Sequence, residues 1–386
     1  MSLKSSVLLS LAIVATFVSA VVSASQVIIP APPQSSATAH LLLDAHTGKV
    51  LAENNADTTL PPASLTKMMT IYIVASEIAR GGISANDQVN VSVKAWKMGG
   101  SRMFIREGTQ VSVSDLMRGV IVQSGNDASI ALAEHVAGSE EAFVDIMNQQ
   151  AALLGMTNTR FQNATGWPHQ DHYTSARDLS LLARALINDY PEQYKIYSEK
   201  YFSYNGINQT NRNKLLFRDD TVDGIKTGHT DEAGYCLVAS AQRDNMRLIS
   251  VVMGTASESA RAAESQKLLA YGFRYYKTHK LYGDNEVVST ARVWKGQLDT
   301  VSLAPSNAVY LTISRGAEDQ LVAEVAIDSI IEAPVVKGQE LGNVTVTLDG
   351  DQLLDMPLSA LENVDQAGFF SRLLDSIKLF FFKLFN

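Results

Sequence analysis

Ser64 and Lys67 stand three residues apart in the run Ser64-Leu65-Thr66-Lys67, and no other lysine in the chain has a serine three places before it. On a helix this spacing projects both side chains from one face, within reach of each other. A serine hydroxyl is a weak nucleophile until a base takes its proton, and an amine at that distance can take it. Two further runs follow in order, Ser124-Gly125-Asn126 and Lys226-Thr227-Gly228, and only Lys226 begins a Lys-Thr-Gly run. The set supplies a nucleophile, amine bases and hydrogen-bond donors for acyl transfer from a substrate that carries a carboxylate. Ser84-Ala85-Asn86 and Ser203-Tyr204-Asn205 also fit Ser-x-Asn. Ser124 is preferred because it closes the apolar stretch Leu116 to Val122 and precedes a helix-like run from Asp127 to Val136, which places it in a turn between two elements.

Each residue has a chemical assignment. Lys67 serves as base only when neutral; burial and a second cation, assigned to Lys226, both lower a lysine pKa. Ser124 relays a proton between the amines and the leaving group, and the Asn126 amide holds the substrate amide. Lys-Thr-Gly is expected on a strand edge, where Gly228 lets a ligand backbone come close. The backbone N–H groups of Ser64 and His229 then form an oxyanion hole, worth about 3 kcal/mol per donor. Thr227 and a guanidinium, assigned to Arg261, grip the substrate carboxylate. His169 and His172, after Gly166-Trp167-Pro168, read as plain loop residues, and no histidine, cysteine or carboxylate cluster has metal-ligand spacing. No metal or cofactor is expected.

The elements that must position these groups can be read from periodicity. Two apolar runs flank His46-Thr47-Gly48 as a hairpin. Pro61-Pro62 ends the strand, and a helix from Ser64 to about Arg80 follows, with Leu65, Met68, Met69, Tyr72 and Ile73 on its buried side. Helical patterns recur near 114–122, 127–137, 140–154 and 175–188, with Ser114, Ser139 and Ser175 as expected caps. Strands follow at 233–241 and 246–254 around Arg243-Asp244-Asn245, then a helix from Ser257 to about Lys277. Helices inserted between the first and last strands predict an α/β sandwich over an antiparallel sheet. From about 280 to 365 short alternating runs such as TVSLAPS, AVYLTIS and VTVTL predict a small all-β unit.

The 386 residues, 46% hydrophobic and 19% charged, suffice for more than one core. A net charge of -8 with no basic patch excludes a nucleic-acid partner. The single cysteine, Cys236, reads as a small buried residue and permits no intrachain disulfide. At the start, Lys4, the apolar stretch Val7 to Val22 and Val22-Ser23-Ala24 form a secretory signal pattern cut after Ala24, which implies export. At the end, Phe370, Leu373, Leu374, Ile377, Phe381, Leu384 and Phe385 recur at helical spacing, with Arg372, Asp375, Ser376 and Lys383 on the other side. That pattern suits a helix lying in the headgroup layer of a membrane surface. The expected divisions are therefore 1–24 signal, 25–278 catalytic domain, 279–365 β-rich domain and 366–386 anchor helix.

The runs SLTKMM, SGND, KTGHT and, at Gly100 to Phe104, GSRMF resemble the low-molecular-mass penicillin-binding proteins, specifically D-alanyl-D-alanine carboxypeptidases. The resemblance covers nearly the whole chain. It implies a penicillin-binding, β-lactamase-like catalytic domain on the periplasmic side of the bacterial inner membrane. It also implies peptidoglycan stem peptides ending in D-Ala-D-Ala as substrates and β-lactams as inhibitors that acylate the same serine. The nucleophile and general base fall on Ser64 and Lys67. Ser124, Asn126, Lys226, Thr227, Gly228 and His229 match the other two motifs, and Arg261, in ARAAESQKLL, resembles the family's carboxylate anchor. A serine β-lactamase is the nearest rival, but the Glu-x-x-Leu-Asn run of its class A members is absent, and Glu192 and Glu199 lie in other contexts. The intact triple set argues against a non-catalytic wall-binding scaffold.

Overall fold

A computed structural model describes residues 28–385; the expected signal segment, 1–24, lies outside the described residues. The catalytic core is a five-stranded antiparallel sheet ordered Val50–Asn54, Ala39–Asp44, Met246–Thr255, Gly234–Arg243 and Val222–Thr230. Its inner strands read as continuous apolar runs because both faces are covered. Leu41, Leu43, Ile249 and Val251 face the helical layer on one side, whereas Leu42, Leu248 and Val252 meet Leu268, Leu269 and Phe273 of the helix Glu258–Tyr275 on the other.

The helix after Pro61-Pro62 departs from the expected single buried face. Its first turn, Ala63–Thr66, tightens into a 3-10 turn, and in the α-helix Lys67–Ala79 every residue from Lys67 to Ala75 is buried. It lies between the sheet and the outer helices, so it is apolar all round. Around it pack Val113–Val122, Asn126–Ala137, Glu140–Leu153 and Ala176–Asp189, the last of which also lies directly on the strands Ala39–Asp44 and Met246–Thr255. Ser139 and Ser175 cap their helices, accepting from the N–H groups of Ala142 and Asp178. The expected cap Ser114 is corrected: Ser112 caps that helix, because its Oγ accepts from Asp115 N and donates to the Asp115 carboxylate. The helix expected to run to Lys277 stops at Tyr275, since Tyr276–Tyr282 is drawn into pairing with Val309–Ser314.

Beyond it the chain is all β, apart from one short turn, until Phe369. A six-stranded sheet runs in the order Leu321–Ile327, Glu340–Leu348, Asp351–Ala360, Thr300–Ala304, Ser289–Trp294 and Ile331–Glu332. Val293, Leu303, Val344, Val346 and Leu358 are among its core residues. A buried carboxylate joins this unit to the first sheet. Asp44, with no exposed surface, accepts from His46 N at 2.8 Å, from the Thr312 hydroxyl at 2.9 Å and from the Thr278 hydroxyl. Lys49 Nζ adds a bond to the Thr312 carbonyl, and the His46 ring stacks on Tyr310.

The last helix, Phe369–Phe385, touches the β unit by one narrow stripe. Leu379 is buried, the Phe382 ring lies 5.8 Å from Trp294, and the Asp375 carboxylate accepts from Lys295 N. Asp375, expected on the solvent side, therefore lies on the docked side, because it satisfies a backbone donor there. Phe370, Leu373, Ile377, Phe381 and Leu384 remain at least half exposed. Among the described residues no helix is long and apolar enough to cross a membrane.

Candidate active site

Ser64 is presented on the 3-10 turn, where unpaired backbone N–H groups gather. Ala63 before it adopts a left-handed backbone, φ 47, and Gly166 on the facing loop has φ 81. A Cβ at position 166 would stand 1.7 Å from the Ala63 carbonyl oxygen and 3.0 Å from Ser64 N. Only glycine lets these two backbones meet.

Lys67 is fully buried one turn onward. Its Nζ lies 3.0 Å from Ser64 Oγ, 2.7 Å from Asn126 Oδ1 and 2.5 Å from the Thr165 carbonyl oxygen. The Asn126 amide is oriented by its Nδ2, which donates to the Gly99 carbonyl. Two of the three neighbours of Nζ can therefore only accept. A neutral amine has two N–H bonds and one lone pair, so with both N–H bonds committed the lone pair faces Ser64 Oγ. Burial and the Arg212 guanidinium bring Lys67 down to about 7, against the opposing Asp127 carboxylate. Arg212 is thus a cation beside Lys67 that the sequence did not reveal, in addition to Lys226, whose charge and that of Lys67 repel each other.

Lys226, also buried, donates to Ser124 Oγ at 3.0 Å. Burial, then Lys67, Arg212 and Arg261, hold it well below the usual lysine value. Ser124 occupies the expected turn with φ 65, a left-handed conformation that a non-glycine residue keeps only when its surroundings enforce it. Part of that enforcement comes from Asp127. Its buried carboxylate accepts from the N–H groups of Met103, Phe104, Ile105 and Ala128, pinning the loop of Gly100 to Phe104 onto the start of the helix Asn126–Ala137. Asn126 N completes the contact by donating to the Ser101 carbonyl.

Lys226, Thr227, Gly228 and His229 lie on Val222–Thr230, the last strand of its sheet, as Lys-Thr-Gly chemistry requires. A Cβ at Gly228 would approach the Pro62 carbonyl at 3.0 Å, so the glycine sets the spacing between strand and nucleophile turn. The exposed His229 ring stacks on Tyr235 at 3.9 Å. Arg261 is buried with Nη1 donating to the Gly228 carbonyl at 3.1 Å.

Two cavities meet at Ser64. One, about 430 Å³, is walled by Gly166, Trp167, Pro168, Asp231 and Glu232. The other, about 210 Å³, is walled by Ser124, Thr227, Arg212 and Arg261. Ser64, Ser101 and His229 line both. The structure thus brings all nine sequence-selected residues to one cleft, and it adds Arg212, Asp127, the Thr165 carbonyl and Trp167. His172 is buried behind the cleft with Nε2 3.0 Å from Thr66 Oγ1, and burial lowers it to about 4; His169 is exposed and lines neither cavity. Glu199 is paired to Arg118 and Glu192 to Lys195, so neither carboxylate reaches Ser64. Cys236 is buried, with its thiol pushed up to about 11.

A serine on a tight turn, a lysine buried beside it and a sheet edge opposite define a serine acyl-transfer enzyme of the penicillin-binding type. The chain belongs to the D-alanyl-D-alanine carboxypeptidase family, peptidase S11, which it matches over residues 26–257. Residues 276–366 match the C-terminal domain of penicillin-binding protein 5. D-alanyl-D-alanine carboxypeptidase DacA of Escherichia coli K12 is 45% identical over 366 residues, spanning 93% of this chain and 91% of that protein. DacF of Bacillus subtilis is 38% identical, spanning 85% and 86%. The crystal structure of penicillin-binding protein 5 from Haemophilus influenzae superposes with a TM-score of 0.82 at 42% identity, covering 87% of this chain and all of that one. The ampicillin-bound penicillin-binding protein D2 of Listeria monocytogenes gives 0.58 at 31% identity, covering 63% of this chain and all of that one.

Proposed function

We propose that this cleft removes the terminal D-alanine from peptidoglycan stem peptides through a Ser64 acyl-enzyme, and that β-lactams acylate the same serine. The observation that carries the reading is the hydrogen-bond pattern of Lys67, whose lone pair faces Ser64 Oγ when the amine is neutral. Ser64 Oγ attacks the carbonyl of the penultimate D-alanine while Lys67 takes its proton. The backbone N–H groups of Ser64 and His229 receive the oxyanion. Ser124, held by Lys226, passes a proton to the departing amine, and water then hydrolyses the ester. The leaving carboxylate lies toward Thr227, Arg261 and Arg212, and the acyl chain toward Trp167. Glu192 and Glu199, glutamates between the second and third motifs, are paired to Lys195 and Arg118 and do not serve deacylation of a penicillin.

The test is release of D-alanine from diacetyl-L-lysyl-D-Ala-D-Ala, measured beside a neutral thioester of similar size. Wild type should release D-alanine, and Arg261→Ala should lose about tenfold or more on the peptide while losing far less on the thioester. A lost charge-assisted hydrogen bond costs about 1.5 to 3 kcal/mol. Equal losses would reject Arg261 as the carboxylate holder, and absence of D-alanine release by wild type would reject the activity.

We place the catalytic unit at 25–278 and the β unit at 279–365, with export directed by residues 1–24 and attachment to the outer surface of the inner membrane by 366–386. The exposed Phe370, Leu373, Ile377, Phe381 and Leu384 support that attachment. Deleting 367–386 should leave an enzyme with near-native turnover of the small peptide that no longer floats with anionic vesicles. Flotation of the truncated form equal to the full mature chain would reject the anchor.

A further inference from the structure

His172 and Asn163 form a bridge behind the cleft that the reaction above does not use. The Asn163 carboxamide gathers the loop that follows it. Its Oδ1 accepts from the N–H groups of Thr165, Gly166 and Trp167 and from the Thr165 hydroxyl, at 3.1, 2.8, 3.0 and 2.9 Å. Backbone N–H groups only donate, so the amide orientation is fixed and Nδ2 faces the other way, where it meets the Trp167 carbonyl at 2.9 Å and His172 Nδ1 at 3.4 Å. That contact sets the tautomer. Nδ1 faces a donor and must accept, so the ring proton sits on Nε2 and points at Thr66 Oγ1, 3.0 Å away. His172 and Thr66 are both buried, and burial, with the nearby His169 and Lys67, brings the imidazole down to about 4. The ring is therefore neutral at the pH where Lys67 works.

Thr66 immediately precedes Lys67 in the chain, and Thr165, at the other end of the bridge, offers the carbonyl that accepts from Lys67 Nζ. The bridge thus holds both ends of one hydrogen bond of the base. We propose that His172 is a positioning residue for the acylation base: its Nε2–H tautomer ties the Thr165 loop to the nucleophile turn, which keeps one Lys67 N–H on the Thr165 carbonyl and the lone pair on Ser64 Oγ. This rests on the acyl-transfer reading above. No bond to His172 forms or breaks in the reaction, and the ring acts through Asn163 and Thr165 alone. The rival role for a buried ring is packing, since His172 also meets Phe161 edge to face at 5.8 Å. Phenylalanine would keep that contact, whereas glutamine would keep one donor and one acceptor.

The experiment follows acylation of the full mature chain by benzylpenicillin in wild type, His172→Gln and His172→Phe on both sides of neutral pH. Rates are taken per labelled serine, so a misfolded fraction does not enter them. His172→Phe should lower the maximal acylation rate constant about 10- to 10²-fold while the affinity of the non-covalent complex stays as in wild type, because a base out of line costs rate and not binding. Its acid limb should move to lower pH, since losing the Thr165 carbonyl removes a hydrogen bond that favours the charged amine. His172→Gln should restore most of the rate and the position of the limb. Thr66→Val, which keeps the side chain's shape and removes the acceptor at the other end of the bridge, should lose rate as His172→Phe does. Wild-type rates in His172→Phe or Thr66→Val, or a loss in His172→Gln as large as that in His172→Phe, overturn the proposal. A wild-type chain that takes up no benzylpenicillin would instead strike the acyl-transfer reading itself.

Discussion

Ser64→Ala should abolish covalent labelling by benzylpenicillin, while the wild-type chain acquires one stable adduct, on Ser64, visible by mass spectrometry of the intact protein. Ser124 also has a buried amine 3.0 Å away, but it is Ser64 that faces the lone pair of Lys67, at 3.0 Å, from a turn whose backbone N–H can receive the oxyanion. Loss of D-alanine release should accompany loss of labelling, since both reactions use one hydroxyl. Adducts persisting in Ser64→Ala would sink the nucleophile. Rapid appearance of penicilloic acid with no lasting adduct would transfer the protein to the β-lactamases.

The second large effect concerns Lys67. With its amine at about 7, the rate of acylation should rise about tenfold per pH unit below neutrality and level off above it. The sign follows from the role: a base works deprotonated, so protonation on the acid side removes activity. Lys67→Arg should cost about 10²- to 10⁴-fold and erase this limb, because a guanidinium stays charged throughout. Arg212→Ala should move the limb to higher pH, since removing a neighbouring cation makes the Lys67 proton harder to lose. An acid limb unchanged in Arg212→Ala would reject that electrostatic assignment, and one retained in Lys67→Arg would reject Lys67 as the base.

What could be read in the sequence was what chemistry confines to short spacings. Ser64 with Lys67, Ser124 with Asn126, and Lys226 with Thr227 and Gly228 are local patterns, and local patterns survive without a fold. Arg212 had no such signature. It reaches the cleft because the hairpin Tyr201–Tyr204 with Ile207–Thr210 folds back before the edge strand, and only tertiary structure expresses that path. The Thr165 carbonyl was equally hidden, since every residue has one. Asp127 lay inside a quoted motif, yet its role as acceptor for four backbone donors depends on a loop some two dozen positions away. The capping error was avoidable: Ser112 precedes Asp115 by three places, the reciprocal pattern that Ser114 lacks. The central helix was drawn too amphipathic because periodicity reports one covering layer, and here two layers cover it.

The contact between Gly166 and Ala63 bears on how such an enzyme can escape an antibiotic. A bulkier residue at 166 would look like a way to narrow the cleft against a drug. Yet the first atoms it would displace are the Ala63 carbonyl and the Ser64 amide, which seat the nucleophile itself. Drug and peptide both need that seat, so both lose it together. Resistance written at this position is self-defeating, and changes that tell one ligand from the other have to arise farther out, on walls that one of them touches and the other does not.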